Sequence, residues 1–125
     1  HGGCVDFEKL EVWRRSARLS ANLYKAMAGH RDWSFRDQIT RSGLSIPSNI
    51  AEGMSRTGAR DKVRFLLIAK GSCAELRTQL YIGREADLLE AAFAVPAVKE
   101  TREIAAMLAS LINTIRAQAA ADKAK

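Results

Sequence analysis

Two sets of polar side chains recur at helical spacing in this chain. One comprises Gln38, Arg41, Ser45, Asn49 and Glu52, the other Ser72, Glu75 and Gln79. Steps of three and four place each set on one side of its own helix. Turned toward each other, they would form a cross-helix network with Asn49 and Glu52 opposite Ser72 and Glu75. Three roles fit such an arrangement. Glu52 and Glu75 would divide acid and base work if a substrate pocket lay beside them. The same groups would offer hydrogen bonds to a nucleic-acid or protein partner. Alternatively, the network fixes helix register or joins subunits. In that case every buried member needs a partner, because an unpaired polar group in a core costs about 1–3 kcal/mol. Arg41 is the natural counter-ion for a carboxylate of the set. Pro47 stands in the middle of the first set. It has no N–H and its ring crowds the preceding turn, so it is expected to break or kink the helix.

Cations form the second candidate surface. Arg14, Arg15, Arg18 and Lys25 lie along one side of the first helical segment, and Arg56, Arg60, Lys62 and Arg64 cluster around the turn between the second and third. Rows of cations neutralise phosphates and give salt-sensitive affinity without sequence readout. The competing reading is a solvated face, with Glu8, Glu11 and Asp61 diluting the local field. The net charge of +6 and a pI near 9.7 suit either reading.

Other chemistries lack their residues. The only histidines are His1 and His30, and neither follows a glutamate at the Glu-x-x-His spacing of di-iron bundles. No cysteine pair has zinc spacing, and no phosphate loop or nucleophile elbow occurs. Gly71-Ser72-Cys73 lies mid-helix, with no helical histidine to activate a nucleophile. The expectation is a non-enzyme with no cofactor and no metal.

These side chains must be positioned by helices, because the apolar periodicity is helical throughout. In the first segment, about Phe7 to Ala28, Leu10, Trp13, Ala17, Ser20, Tyr24 and Met27 make a bundle seam. Val12, Leu19 and Leu23 add a second stripe, so this helix has apolar surface for two neighbours. Gly29 suits a left-handed cap. The second segment, with Ser34 as expected N-cap, buries Phe35, Ile39, Gly43, Ile46 and Ile50. The third, about Ala59 to Ala86, steps through Leu66, Ala69, Cys73, Leu76, Leu80 and Gly83, with Phe65 and Ile68 widening the stripe. The connector from Asp87 to Ala94 carries Leu88, Leu89 and Phe93. The fourth helix is expected to start near Pro96 and to bury Ile104, Leu108, Leu111, Ile112 and Ile115. Trp33 falls in a loop. No strand-like alternation competes.

Short connections between long helices predict an all-α fold, an antiparallel up-down-up-down four-helix bundle. At 125 residues, 47% apolar, the chain is long enough for one core. The expected organisation is a disordered N-terminus or tag remnant over 1–6, the bundle over 7–118 and a frayed tail over 119–125. Cys4 and Cys73 read as free thiols of a reducing compartment. No apolar run is expected to reach the ~20 residues of a membrane span, and no signal peptide opens the chain.

The chain resembles the four-helix-bundle proteins encoded within intervening sequences of bacterial large-subunit rRNA genes. Phe7, Leu10, Val12 and Trp13 match that family's opening. Gln38, Ile39, Arg41 and Ser42 precede its most recognisable motif, Ser45-Ile46 with Asn49-Ile50-Ala51-Glu52-Gly53. Phe65, Leu66, Ala69, Gly71-Ser72, Glu75-Leu76 and Thr78-Gln79-Leu80 match its third helix. Arg41-Ser42-Gly43 departs from it, standing where small alanines are usual. The resemblance implies a ring-like homo-oligomer, a pentamer. It also implies kinship with accessory proteins of diversity-generating retroelements, basic pentameric barrels that associate with nucleic acid and a reverse transcriptase. The expected protein is therefore a cytoplasmic, self-assembling, non-catalytic module associated with RNA or DNA. The alternative is a structural or protein-interaction assembly protein with no nucleic-acid role.

Overall fold

The computed structural model describes residues 6–125. Cys4, His1 and the suggested tag remnant lie outside the described residues. The Asp6 carboxylate accepts from the Glu8 N–H and caps a short 3₁₀ turn, Phe7–Lys9. Four α-helices follow: α1 Glu11–Met27, α2 Trp33–Met54, α3 Ala59–Glu85 and α4 Ala91–Ala124. They connect through residues 28–32, 55–58 and 86–90, so consecutive helices run antiparallel, and the described residues hold no strand. This is the up-down-up-down bundle. α2 and α3 share the largest contact and α3 and α4 nearly as large a one, whereas α1 and α4 touch least.

Apolar periodicity explains the core. Ile39, Ile46 and Ile50 of α2, Leu66, Leu76 and Leu80 of α3, and Ile104 and Leu108 of α4 are fully buried. On α1 the two apolar stripes share the core, since Ser20 and Met27 of the expected seam are buried along with the second stripe. Val12, Leu19 and Leu23 enter the core, while Trp13 and Ala17 are half-buried and Tyr24 is 49% exposed. The reason is geometric: α1 packs mainly on α2, so the core takes the adjoining parts of both stripes and leaves Trp13, Ala17 and Tyr24 at the margin. Ile68, expected to widen the α3 stripe, is likewise exposed.

Several boundaries shift from expectation. Leu10 leaves the helical backbone between the 3₁₀ turn and α1. α2 begins at Trp33, because Asp32 rather than Ser34 is the N-cap, its carboxylate accepting from the Phe35 N–H at 2.9 Å. Trp33 is thus helical, 67% exposed, with the Arg36 guanidinium over its ring. α2 continues unbroken through Pro47, whose ring is buried in the bundle. Only the donor to the Gly43 carbonyl is lost there, and tertiary packing on both sides outweighs it.

α4 starts at Ala91, before Pro96, and runs helical to Ala124, so the expected frayed tail is helix. Alanine's high helix propensity and a Gln118–Asp122 hydrogen bond at 3.0 Å support those last turns. With 34 residues, α4 is long and apolar enough to cross a bilayer by length and composition, contrary to the expectation. Its alanines raise the hydropathy, and over 104–121 Arg116 is the single charge. Ile104, Leu108 and Ile112 are nonetheless buried against the bundle.

Two turns close one end. Gly29 takes φ +70° after α1. Asp87 takes φ 60° after α3, where Leu88 N–H bonds the Gly83 carbonyl at 2.7 Å and Asp87 N–H bonds that of Arg84 at 3.2 Å, a Schellman cap. His30 ties the turns together: Nδ1 accepts from the Asp32 N–H at 2.9 Å, so Nε2 carries the proton donated to the Leu88 carbonyl at 2.8 Å.

Candidate functional site

The polar set on α2 and the set on α3 meet, but through fewer members than the spacing suggested. Ser45 Oγ and Ser72 Oγ lie 2.8 Å apart. Asn49 Nδ2 donates to the Ser45 hydroxyl at 3.0 Å and to its carbonyl at 2.8 Å. Ser72 is buried, and Ser45 and Asn49 are half-buried. This seam sits beside Pro47, and the Asn49 amide bonds the Ser45 carbonyl rather than the Gly43 carbonyl that the proline leaves without its donor.

The charged members turn away. Arg41 pairs with Asp37 one turn earlier, at 3.0 Å, rather than with a carboxylate of the set. Glu52 pairs with Arg56 at 2.7 Å, and Glu75 is exposed with no hydrogen bond to the seam. Long side chains at the bundle surface reach partners i±4 along their own helix more cheaply than they cross to another. Gln38, Arg41, Ser42, Ser45, Glu75 and Gln79 line a shallow groove of about 340 Å³ between α2 and α3. Gln79 Oε1 is buried there without a hydrogen-bond partner. Among the described residues, no three His, Cys, Asp or Glu side chains are grouped to hold a metal.

The expected cations divide by what neutralises them. Arg15 points across to α4 and bonds Glu100 at 2.6 and 2.9 Å, contacts Glu103 and lies 3.8 Å from Met107 Sδ. The carboxylates raise the guanidinium's affinity for its proton, and Arg15 in turn holds Glu103 below the usual carboxylate range. Arg14 donates to the Glu8 carbonyl, not to a carboxylate. Arg18 lines an α1–α4 groove of about 320 Å³ with Asn22 and Phe93, and Lys25 is exposed. Arg56 and Arg64 flank the Phe65 ring at 4.8 and 4.4 Å, and Arg64 also meets Asp61 at 3.4 Å. Arg60 is exposed and forms no ion pair among the described residues.

Lys62, grouped with these by sequence, is instead buried. Its ammonium caps the end of α2, donating to the Met54 carbonyl at 3.2 Å and to that of Arg56. That is where a helix's partial negative charge gathers. Arg116 of α4 joins Arg60 and Arg64 around a concavity of about 760 Å³ at the start of α3. No local signal marks Arg116, because its neighbours there belong to a different helix.

The model of the 23S rRNA-intervening sequence protein family matches residues 8–110. The chain belongs to this family. The match runs from the first 3₁₀ turn well into α4 and takes in every member of the Ser45–Asn49–Ser72 seam. The chain is also similar to a crystal structure from Bacteroides thetaiotaomicron, a protein of unknown function from the S23 ribosomal protein family. The TM-score is 0.75 at 26% identity, covering 81% of this chain and 97% of that one. No curated protein matches the chain.

Proposed function

We propose that this family member is a self-associating, non-catalytic bundle that binds RNA or DNA through exposed cations. The carrying observation is the row Arg14, Arg18 and Lys25 on α1. None of the three has a carboxylate partner among the described residues, although Arg15 between them has two. Unneutralised cations on one rigid helix supply the sequence-independent phosphate attraction of nucleic-acid binders. The net charge of +6 supports the same reading, as does membership of a family described by an rRNA intervening sequence. The Ser45–Asn49–Ser72 seam serves architecture, and Glu52 and Glu75 stand outside it.

Self-association supports the reading by multiplying a modest charge. The surface offered to a second copy is the apolar groove between α1 and α2, where Phe7, Trp13, Ala17, Leu44 and Pro47 surround about 350 Å³. Leu44 there is 46% exposed. Surplus apolar surface of this kind marks contact sites, and the family resemblance suggests a ring of five.

Light scattering of the purified protein with a salt titration of RNA binding tests both parts. Affinity should fall steeply with salt, and Arg14→Glu with Arg18→Glu should weaken binding while particle mass is unchanged. Assembly without any low-salt RNA binding would instead establish the purely structural alternative.

A further inference from the structure

We propose that the α3–α4 face built on Arg77, Tyr81 and Arg102 seats a single strand of nucleic acid, a refinement that rests on the nucleic-acid reading above. The arginines of the bundle differ in how they are held. Arg15, Arg41, Arg56 and Arg64 all bond carboxylates. Arg77 and Arg102 are held by neutral hydroxyls. Arg77 Nε donates to Thr101 Oγ1 at 3.0 Å, and the Thr101 hydroxyl spends its own hydrogen on the Val98 carbonyl at 2.6 Å, so its oxygen is fixed as an acceptor. Arg102 NH2 donates to the Tyr81 hydroxyl at 2.7 Å. Both guanidiniums are therefore positioned without being neutralised. Each retains full charge and several N–H donors, the state in which arginine forks onto phosphate.

Glu75, Glu100 and Glu103 face other flanks, whereas Glu85 stands exposed one turn beyond Tyr81 on the same side of α3. Between Lys70 and Arg84 the only acid on α3 is Glu75, which lines the α2–α3 groove with Gln38 and Ser45. On α4, Glu100 and Glu103 are occupied by Arg15 on the α1 side. Lys70, Arg77, Tyr81 and Arg84 recur at steps of seven, four and three along α3, a single helix side extending about 21 Å at 1.5 Å per residue. Arg77 and Tyr81 are one turn apart, and their partners Thr101 and Arg102 are consecutive. The two arginines thus project within about one turn of each other. A half-buried guanidinium with no counter-ion, as at Arg77, keeps an electrostatic demand that an arriving anion meets.

The aromatic ring selects the kind of anion. Tyr81 is 48% exposed with its hydroxyl pinned, and Ile82 beside it is 56% exposed. A fixed, accessible ring between cations is the arrangement on which unpaired bases stack, whereas the bases of a duplex are already stacked inside it.

The test titrates the full chain with a fluorescent single-stranded oligouridylate at several salt concentrations, beside a duplex RNA of equal length. Combined Arg77→Gln and Arg102→Gln should weaken oligouridylate binding by about tenfold and flatten the log-log salt slope by about 1.4, roughly 0.7 for each cation removed. Tyr81→Ala should also cost about tenfold for the single strand and leave duplex binding unchanged. Thermal melts confirm folding, and Arg77→Lys, which keeps charge but not the planar fork, replaces the glutamine variant if that one unfolds. Wild-type binding that these variants leave intact would overturn this site and spare the nucleic-acid reading. Equal duplex affinity with a silent Tyr81→Ala would overturn the single-strand assignment. A wild type that binds no RNA at low salt would overturn both.

Discussion

The guanidinium of Arg15 grips Glu100 of α4 in a fork, Nε to Oε2 at 2.9 Å and NH2 to Oε1 at 2.6 Å. This clamp spans the thinnest contact of the bundle, between α1 and α4. It converts a cation of the first helix from a surface charge into a fastener. Arg15→Met should lower stability by about 1 kcal/mol in urea unfolding, a solvent-screened value for partly exposed partners. RNA affinity should change far less than in an Arg18 variant.

The same clamp gives a pH dependence with a definite sign. Arg15 holds Glu103 below the ordinary carboxylate range, mainly by hydrogen bonding. The folded carboxyl therefore releases its proton more readily than the unfolded one. Its contribution is complete above the unfolded carboxyl's titration range and is lost as pH falls through the lower, folded value. Melting temperature should drop on acidification below about pH 4.5, and Glu103→Gln should show a shallower drop than wild type.

The Ser45–Ser72 bond predicts where the polar set matters. Ser72→Ala, which removes a buried hydroxyl from the seam, should cost about 1 kcal/mol in chemical denaturation. Glu52→Gln and Glu75→Gln replace exposed groups and should fall within about 0.5 kcal/mol of wild type. A larger loss for either glutamate than for Ser72 would refute a seam limited to Ser45, Asn49 and Ser72.

Two glycines of α3 should respond in opposite directions. A Cβ at Gly83 would meet Leu89 Cδ1 at 2.6 Å and Phe35 Cζ at 2.7 Å, whereas one at Gly71 would meet nothing within 4 Å. Gly83→Ala should destabilise by about 1–3 kcal/mol through overpacking. Gly71→Ala should stabilise by up to about 1 kcal/mol through helix propensity. Thermal melts of the two variants side by side read this directly.

Burial pushes the Cys73 thiol up to about 12, with the nearby Arg77 charge opposing weakly. In a Cys4→Ser background, a thiol reagent at pH 8 should leave native Cys73 unmodified and label it only as denaturant unfolds the bundle. Rapid labelling of the folded protein would contradict the buried placement.

Much of the fold was legible because its cause is local. Leu66, Ala69, Cys73, Leu76, Leu80 and Gly83 are all buried in α3 as their spacing required. The α1 stripes were harder. Both Trp13–Tyr24 and Val12–Leu23 have helical spacing, and which pair faces the core depends on how α1 is rotated against α2. The N-cap of α2 is ambiguous by two residues in the sequence, since Asp32 and Ser34 are both competent caps.

The candidate site was legible in position and illegible in pairing. Ser45, Asn49 and Ser72 could be put on facing sides by counting, because side-chain direction follows helical pitch. The partners of arginines could not. Glu100 lies 85 residues from Arg15, and Thr101 lies 24 from Arg77. Four antiparallel helices and the buried face of α3 were written in the order of the residues, since periodicity acts within a helix. Which cations were neutralised, and which were merely held in place, only the packed bundle decided, because charge pairing depends on distances that folding creates between helices.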